Sequence, residues 1–187
     1  PAVVAGLLFG GFIKAHLFHP VPVALAFIAG GIIILIVERR HRAYYGKRDL
    51  EGRRHARVES VDDMSAVDAL KVGLVQCLAL IPGTSRSGAT IIGAMVFGFS
   101  RKAAAEFSFF LAVPTLSGAT VYQLAKYGSD LTGRDLELIG IGSLAGFLTA
   151  LVVVKLFVAV VTKIGFAPFA WYRIVIGIAG LAWLGLR

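Results

Sequence analysis

Seven consecutive residues, Pro82-Gly83-Thr84-Ser85-Arg86-Ser87-Gly88, carry the strongest chemical signal in the chain. Three hydroxyls offer hydrogen-bond donors, and the planar guanidinium of Arg86 matches phosphate oxygens in pairs. Gly83 and Gly88 let the backbone approach a ligand closely and turn N–H groups toward it. Gly88-Ala89-Thr90 then opens a helix whose first N–H groups and positive dipole end face the same spot. These residue types in this order read as an anion cradle. Arg86 and Ser85 are its catalytic candidates; Gly83, Thr84, Ser87, Gly88 and Thr90 are its phosphate-binding ones. The blander reading is a snorkelling or paired Arg86 among small residues that let helices pack. A charge at a turn inside a membrane is costly and usually functional, so the cradle is preferred. Glu106 lies about one and a half turns into a following helix, where it either supports this site or pairs with Lys102, four residues before it.

The elements that must hold the cradle belong to a membrane. The 187 residues are 57% hydrophobic and only 16% charged, with mean hydropathy +0.80, which excludes an ordinary soluble domain. A net charge of +8 would suggest nucleic acid in a soluble chain. Here eight of the nineteen basic residues fall between Arg39 and Arg57, as expected of a cytoplasmic loop beside anionic lipid; no nucleic-acid partner is expected. Residues 1–13 are apolar but short of a span, which needs about 20 residues. Spans are predicted over Val21–Val37, Ala103–Tyr122 (interrupted by Pro114), Leu136–Val161 (carrying Lys155) and Pro168–Leu186. Residues 38–63 read as the basic cytoplasmic loop, with Asp62 and Asp63 as helix caps.

Residues 64–99 read as a re-entrant hairpin. Met64–Leu80 and Ala89–Phe99 are two helical halves around the heptapeptide, and irregular backbone at membrane depth is tolerated only in protein or beside water. If the hairpin returns, Arg101, Lys102 and Lys163 are cytoplasmic and Lys126 and Arg134 are outside; if it crosses, Arg101, Lys102 and Lys163 are outside, and the count of three against two favours the return by a narrow margin. The fold class is therefore all-α, one multi-pass membrane bundle over residues 1–187. His16 and His19 sit at a helix end and receive no metal role. His41 and His55 belong to the basic loop, and Cys77 is a small core residue. Lys155 snorkels or pairs within the bundle, and Arg173 reads as an anchor at the membrane edge, with a headgroup contact as the other option.

The stretch Gln76-Cys-Leu-Ala-Leu-Ile-Pro-Gly-Thr-Ser-Arg-Ser-Gly-Ala-Thr90 closely resembles the second signature, PGxSRSG, of the bacterial undecaprenyl-pyrophosphate phosphatase family, the bacitracin-resistance protein. Ala105–Pro114 and Phe166–Arg173 look like that family's downstream blocks. The resemblance implies an inverted-repeat fold in the bacterial inner membrane. It also implies hydrolysis of a polyprenyl pyrophosphate lipid to the monophosphate carrier, with the site open to the periplasmic side. By it, Arg86 binds and polarises the pyrophosphate while Ser85, Ser87 and Thr90 assist, and Gln76 is a supporting relic of the family's (E/Q)xxxE motif, with Leu80 in the second acidic place. It further implies a divalent cation, Mg2+ or Ca2+, whose ligands are not in this chain, and is compatible with a homo-oligomer. The first-repeat acidic motif and a Ser-rich stretch ending in Gly-His are both missing. With no initial Met, the expectation is a fragment lacking the first part of a longer protein, inactive on its own. The phosphatidic-acid type of phosphatase is excluded because its nucleophilic His would lie downstream and no His follows His55. A transporter or flippase of lipid phosphates, also built with broken helices and a buried Arg, is the alternative.

Overall fold

The computed structural model describes residues 1–45 and 56–186. The basic segment at 46–55, including His55, lies outside the described residues. Seven α-helices follow in order: α1 (Ala2–Leu17), α2 (Pro20–Tyr45), α3 (Ala66–Val75), α4 (Arg86–Val96), α5 (Arg101–Tyr127), α6 (Gly133–Ile164) and α7 (Ala167–Gly185). Four stretches are long and apolar enough to cross a membrane: Pro20–Tyr44, Arg101–Asp130, Gly133–Ile164 and Ala167–Gly185. Their apolar side chains are largely exposed, as in Leu144, Phe147 and Val175, because lipid rather than protein covers them. The architecture is an all-α, multi-pass membrane bundle.

The α2–α7 pair is the most extensive contact between elements. A Cβ on Gly31 would stand 2.7 Å from the Ala170 carbonyl and one on Gly177 2.8 Å from that of Ala24. Bare backbone therefore lets the two helices come together without displacing main chain. Helix α5 runs unbroken through Pro114, where the sequence predicted an interruption; tolerance of proline inside membrane helices explains the difference.

The hairpin is built from short-range rules. Ser65 accepts from the Asp68 N–H and Asp68 returns the favour to Ser65, a capping box that starts α3. The predicted caps Asp62 and Asp63 instead form a one-turn 3-10 helix capped by Ser60. After α3 the chain tightens into a 3-10 turn over Gln76–Leu80, and Ile81 is extended (ψ 119°), the conformation that a following proline imposes. With 10 and 11 residues, α3 and α4 are each about 15 Å long at about 1.5 Å per residue, half a membrane crossing. Val58 and Phe99 form a parallel bridge, with Val58 N–H donating to Gly98 O at 3.2 Å and Ser100 N–H to Val58 O at 2.9 Å. The segment therefore leaves and returns at one end of the bundle.

A buried carboxylate marks that end. Helix α2 continues two turns past its apolar run, so Glu38 lies inside a helix where the sequence suggested the beginning of a loop. Glu38 is 2% exposed and accepts from Arg101 Nη2 (2.6 Å), Arg42 Nε (3.1 Å) and the Phe166 N–H (3.5 Å). Arg42 Nη2 also donates to Ile164 O at 2.9 Å. A buried charge persists only when so paired, and this node ties α2, the start of α5 and the α6–α7 turn to one level. His41, also buried, donates from Nε2 to Phe99 O at 3.2 Å. Arg57 holds Asp68 in a two-pronged ion pair (2.6 and 3.1 Å). Those hydrogen bonds, with the one from the Ser65 hydroxyl, hold the Asp68 carboxyl well below the usual carboxylate range.

Candidate anion cradle

The Pro82–Gly88 turn lies at the tip of the hairpin. Gly83 takes φ +90°; a Cβ there would sit 2.6 Å from the Val23 carbonyl oxygen, so only glycine permits the turn to lie against α2. Ser85 also has positive φ, 68°, rare for a residue with a side chain and costing about 1–3 kcal/mol. Such strain marks a position fixed by its surroundings. Its hydroxyl caps α4 by accepting from the Gly88 N–H at 3.2 Å and lies 3.4 Å from the Ser87 hydroxyl. The N–H groups of Arg86 and Ser87 begin α4 and have no partner within the helix.

The cation facing these groups comes from α7. Arg173, 9% exposed, donates from Nη2 to Gly83 O at 2.7 Å and Ala26 O at 3.2 Å, and its guanidinium lies 4.9 Å from the centre of the Phe27 ring. Its buried Nε has no hydrogen-bond partner among the described residues. Nη1 stands 4.0 Å from the point that a Gly88 Cβ would occupy. Ser85, Ser87, Gly88 and Arg173 share a cavity of about 160 Å³ whose remaining walls are apolar, among them Ile34, Phe157 and Phe169. A second cavity of about 220 Å³, nearly all apolar, meets Thr84, Gly88 and Arg173 from the other side. Two hydroxyls, a helix N-terminus and an unspent guanidinium edge converge on a small space, the composition of a site for phosphate oxygens.

The other predicted residues fall elsewhere. Arg86 is half-buried and donates from Nη1 to the Ser108 carbonyl at 3.2 Å. That is its one hydrogen bond among the described residues, and it does not line the small cavity. Thr90 is fully buried, donates back to the α4 backbone and meets the Ser108 hydroxyl at 2.7 Å, so it fastens α4 to α5 from behind the cradle. Gln76 is buried, its carboxamide oxygen without a partner among the described residues, and it lines neither cavity. Glu106 faces Lys102 at 3.9 Å and a cleft between α5 and α6. Arg173 is no membrane-edge anchor, because α7 packs against α2 and turns the side chain inward. Its sequence signal was a lone Arg two turns inside an apolar helix; that of Ser108 was a small polar residue amid Phe107, Phe109 and Phe110.

Fold and site together define a multi-pass membrane protein with a turn of hydroxyls and glycines, faced by an arginine of α7, at the tip of a helical hairpin. The chain belongs to the bacitracin resistance protein BacA family, whose family model matches residues 1–179. It is 65% identical over 177 residues to the undecaprenyl-diphosphatase of Methylibium petroleiphilum, covering 95% of this chain and 62% of that protein. It is 55% identical over 188 residues to undecaprenyl-diphosphatase 2 of Rhodospirillum rubrum, covering 100% of this chain and 64% of that one. The chain thus spans less than two thirds of the length of these relatives.

Proposed function

We propose that the full-length protein hydrolyses undecaprenyl pyrophosphate to undecaprenyl phosphate and inorganic phosphate, recycling the carrier lipid of cell-wall synthesis and conferring bacitracin resistance. The observation that carries this reading is the unspent edge of Arg173 facing Ser85, Ser87 and the bare Gly88. In the reaction an oxygen nucleophile bonds to the terminal phosphorus. The anhydride P–O bond breaks, and its electron pair goes to the bridging oxygen left on the lipid phosphate. Negative charge then grows on oxygens that the Ser85 and Ser87 hydroxyls, the start of α4 and Arg173 are placed to meet. Arg86, with most of its donors unspent, is the second cation for that role. The apolar walls suit the lipid end of the substrate.

The cradle's donor set does not fit a divalent cation by itself. Such ions take carboxylate and carbonyl oxygens, whereas the cradle offers neutral hydroxyls and a guanidinium. Among the described residues no group of three His, Cys, Asp or Glu could hold a metal. No step is therefore routed through one, and a divalent cation held by residues elsewhere in the full-length protein remains part of the proposal. Activation of the attacking group needs a base or a metal, so residues 1–187 alone are expected to release no phosphate. The test is inorganic phosphate release from undecaprenyl pyrophosphate in detergent by the full-length protein, its Arg86→Ala variant and the 187-residue chain. Release by the unaltered full-length protein alone supports the proposal. A folded full-length protein that releases none would be a transporter instead, since detergent leaves no compartments to move lipid between.

A further inference from the structure

We propose that the cleft between α5 and α6 is a binding site for an anionic phospholipid of the cytoplasmic leaflet, distinct from the anion cradle. The cleft holds about 950 Å³ and is walled chiefly by apolar side chains, with Phe110 and Val113 on α5 facing Val154 and Val158 on α6. The helices run antiparallel here: Lys102 shares the mouth with Lys163, and Val113 lies level with Val154. That mouth is the end that carries the Glu38 node and the basic residues of α2, the cytoplasmic end by the excess of positive charge.

Charge selects the occupant. Three ammonium groups, Lys102, Lys155 and Lys163, line the cleft against two carboxylates, Asp62 and Glu106. Glu106 is taken up by Lys102 at 3.9 Å, and neither Lys155 nor Lys163 has a carboxylate within ion-pair distance among the described residues. Lys155 lies eight residues before Lys163, about 12 Å deeper along the helix. A cation at that depth needs an anion or must snorkel toward the headgroups. A phospholipid with its chains between the valines and its phosphate among Lys155 and Lys163 satisfies both lysines, as basic pockets between membrane helices do on the cytoplasmic side. The cleft and the cradle share a wall, where Phe109 of the cleft meets Phe157 of the cradle edge to face at 5.8 Å.

The test is lipid retention by the delipidated full-length protein, read by native mass spectrometry with dioleoyl phosphatidylglycerol against dioleoyl phosphatidylcholine. The unaltered protein is expected to favour phosphatidylglycerol about tenfold. The double variant Lys155→Gln, Lys163→Gln should lose most of that preference, while Arg134→Gln at the opposite end of α6 should keep it. A Val158→Trp variant, filling the cleft, should lower retention of both lipids. No preference in the unaltered protein, or a preference that the double variant keeps, would overturn the proposal. So would cross-linking of a photoreactive benzophenone residue placed at Val113 to another segment of the polypeptide, which would show protein rather than lipid in the cleft.

Discussion

Replacing Arg173 by Lys separates a fork from a point charge. One nitrogen, Nη2, bridges Gly83 O at 2.7 Å and Ala26 O at 3.2 Å, while the guanidinium stacks on Phe27 and leaves Nη1 toward Gly88. An ammonium keeps the charge but not the plane, and its shorter reach satisfies at most one carbonyl while abandoning the cradle. Turnover loses the charge-assisted hydrogen bond from Nη1 to a phosphate oxygen, about 1.5–3 kcal/mol, while the lost carbonyl bond and much of the stacking, about 0.5–2 kcal/mol, fall on stability. At about 1.4 kcal/mol per factor of ten, a loss of about 1.5–3 kcal/mol lowers kcat/KM by about 10-fold to about 150-fold. The assay is phosphate release by the full-length protein, with thermal unfolding in parallel to confirm that the variant folds. Arg173→Met should be inactive and less stable, since both carbonyls then lose their donor. A folded Lys variant within threefold of the parent in kcat/KM would refute the role of Nη1 at the phosphate.

Gly88→Ala should split activity from stability: its Cβ would stand 3.3 Å from the Ser85 hydroxyl, so KM rises about tenfold or more, while Tm holds or rises because alanine favours the helix by about 1 kcal/mol. A fallen Tm with normal KM would contradict this. Gly83→Ala meets both positive φ and the Val23 carbonyl and should lose about 2–4 kcal/mol of stability; an unchanged Tm would show that the turn does not lie against α2. Asp68→Asn removes the partner of Arg57, and because the folded carboxyl titrates below its unfolded value of about 3.9, its contribution is complete above that value and lost as pH falls below it. The variant should therefore be less stable at neutral pH, with a gap that begins to narrow only below about pH 4 and narrows further as acid protonates the folded carboxyl; a gap that stays constant throughout the acid range would place the effect in packing instead.

The architecture was legible because bilayer thickness converts apolar run length directly into spans, and because Pro82-Gly83 can continue neither half of the hairpin. The heptapeptide was legible because Ser, Arg and Gly are expensive at that depth. Side-chain direction was not. A helix places successive residues about 100° apart, and nothing local tells which of Arg86 and Arg173 faces the cradle. The answer lies in α2: a Cβ on Gly30 would collide with Arg173 Nη2 at 2.5 Å, so glycine opens the lane through which α7 sends its arginine inward. Thr90 lies one turn beyond Arg86 and faces α5, since the Ser108 hydroxyl waits there, a pairing 18 residues apart that no motif encodes. Glu38 reads as the beginning of a polar loop until Arg101, 63 residues away, is brought against it.

The proposed hydrolysis rests on lipid pyrophosphate being held at the hairpin tip. That placement is tested most directly by a structure of the full-length protein with a non-hydrolysable diphosphonate analogue of undecaprenyl pyrophosphate. Terminal phosphonate oxygens are expected within about 3.2 Å of the Ser85 hydroxyl, an N–H at the start of α4 and Arg173. A diphosphonate seated away from these groups, for instance between Lys155 and Lys163, would contradict it.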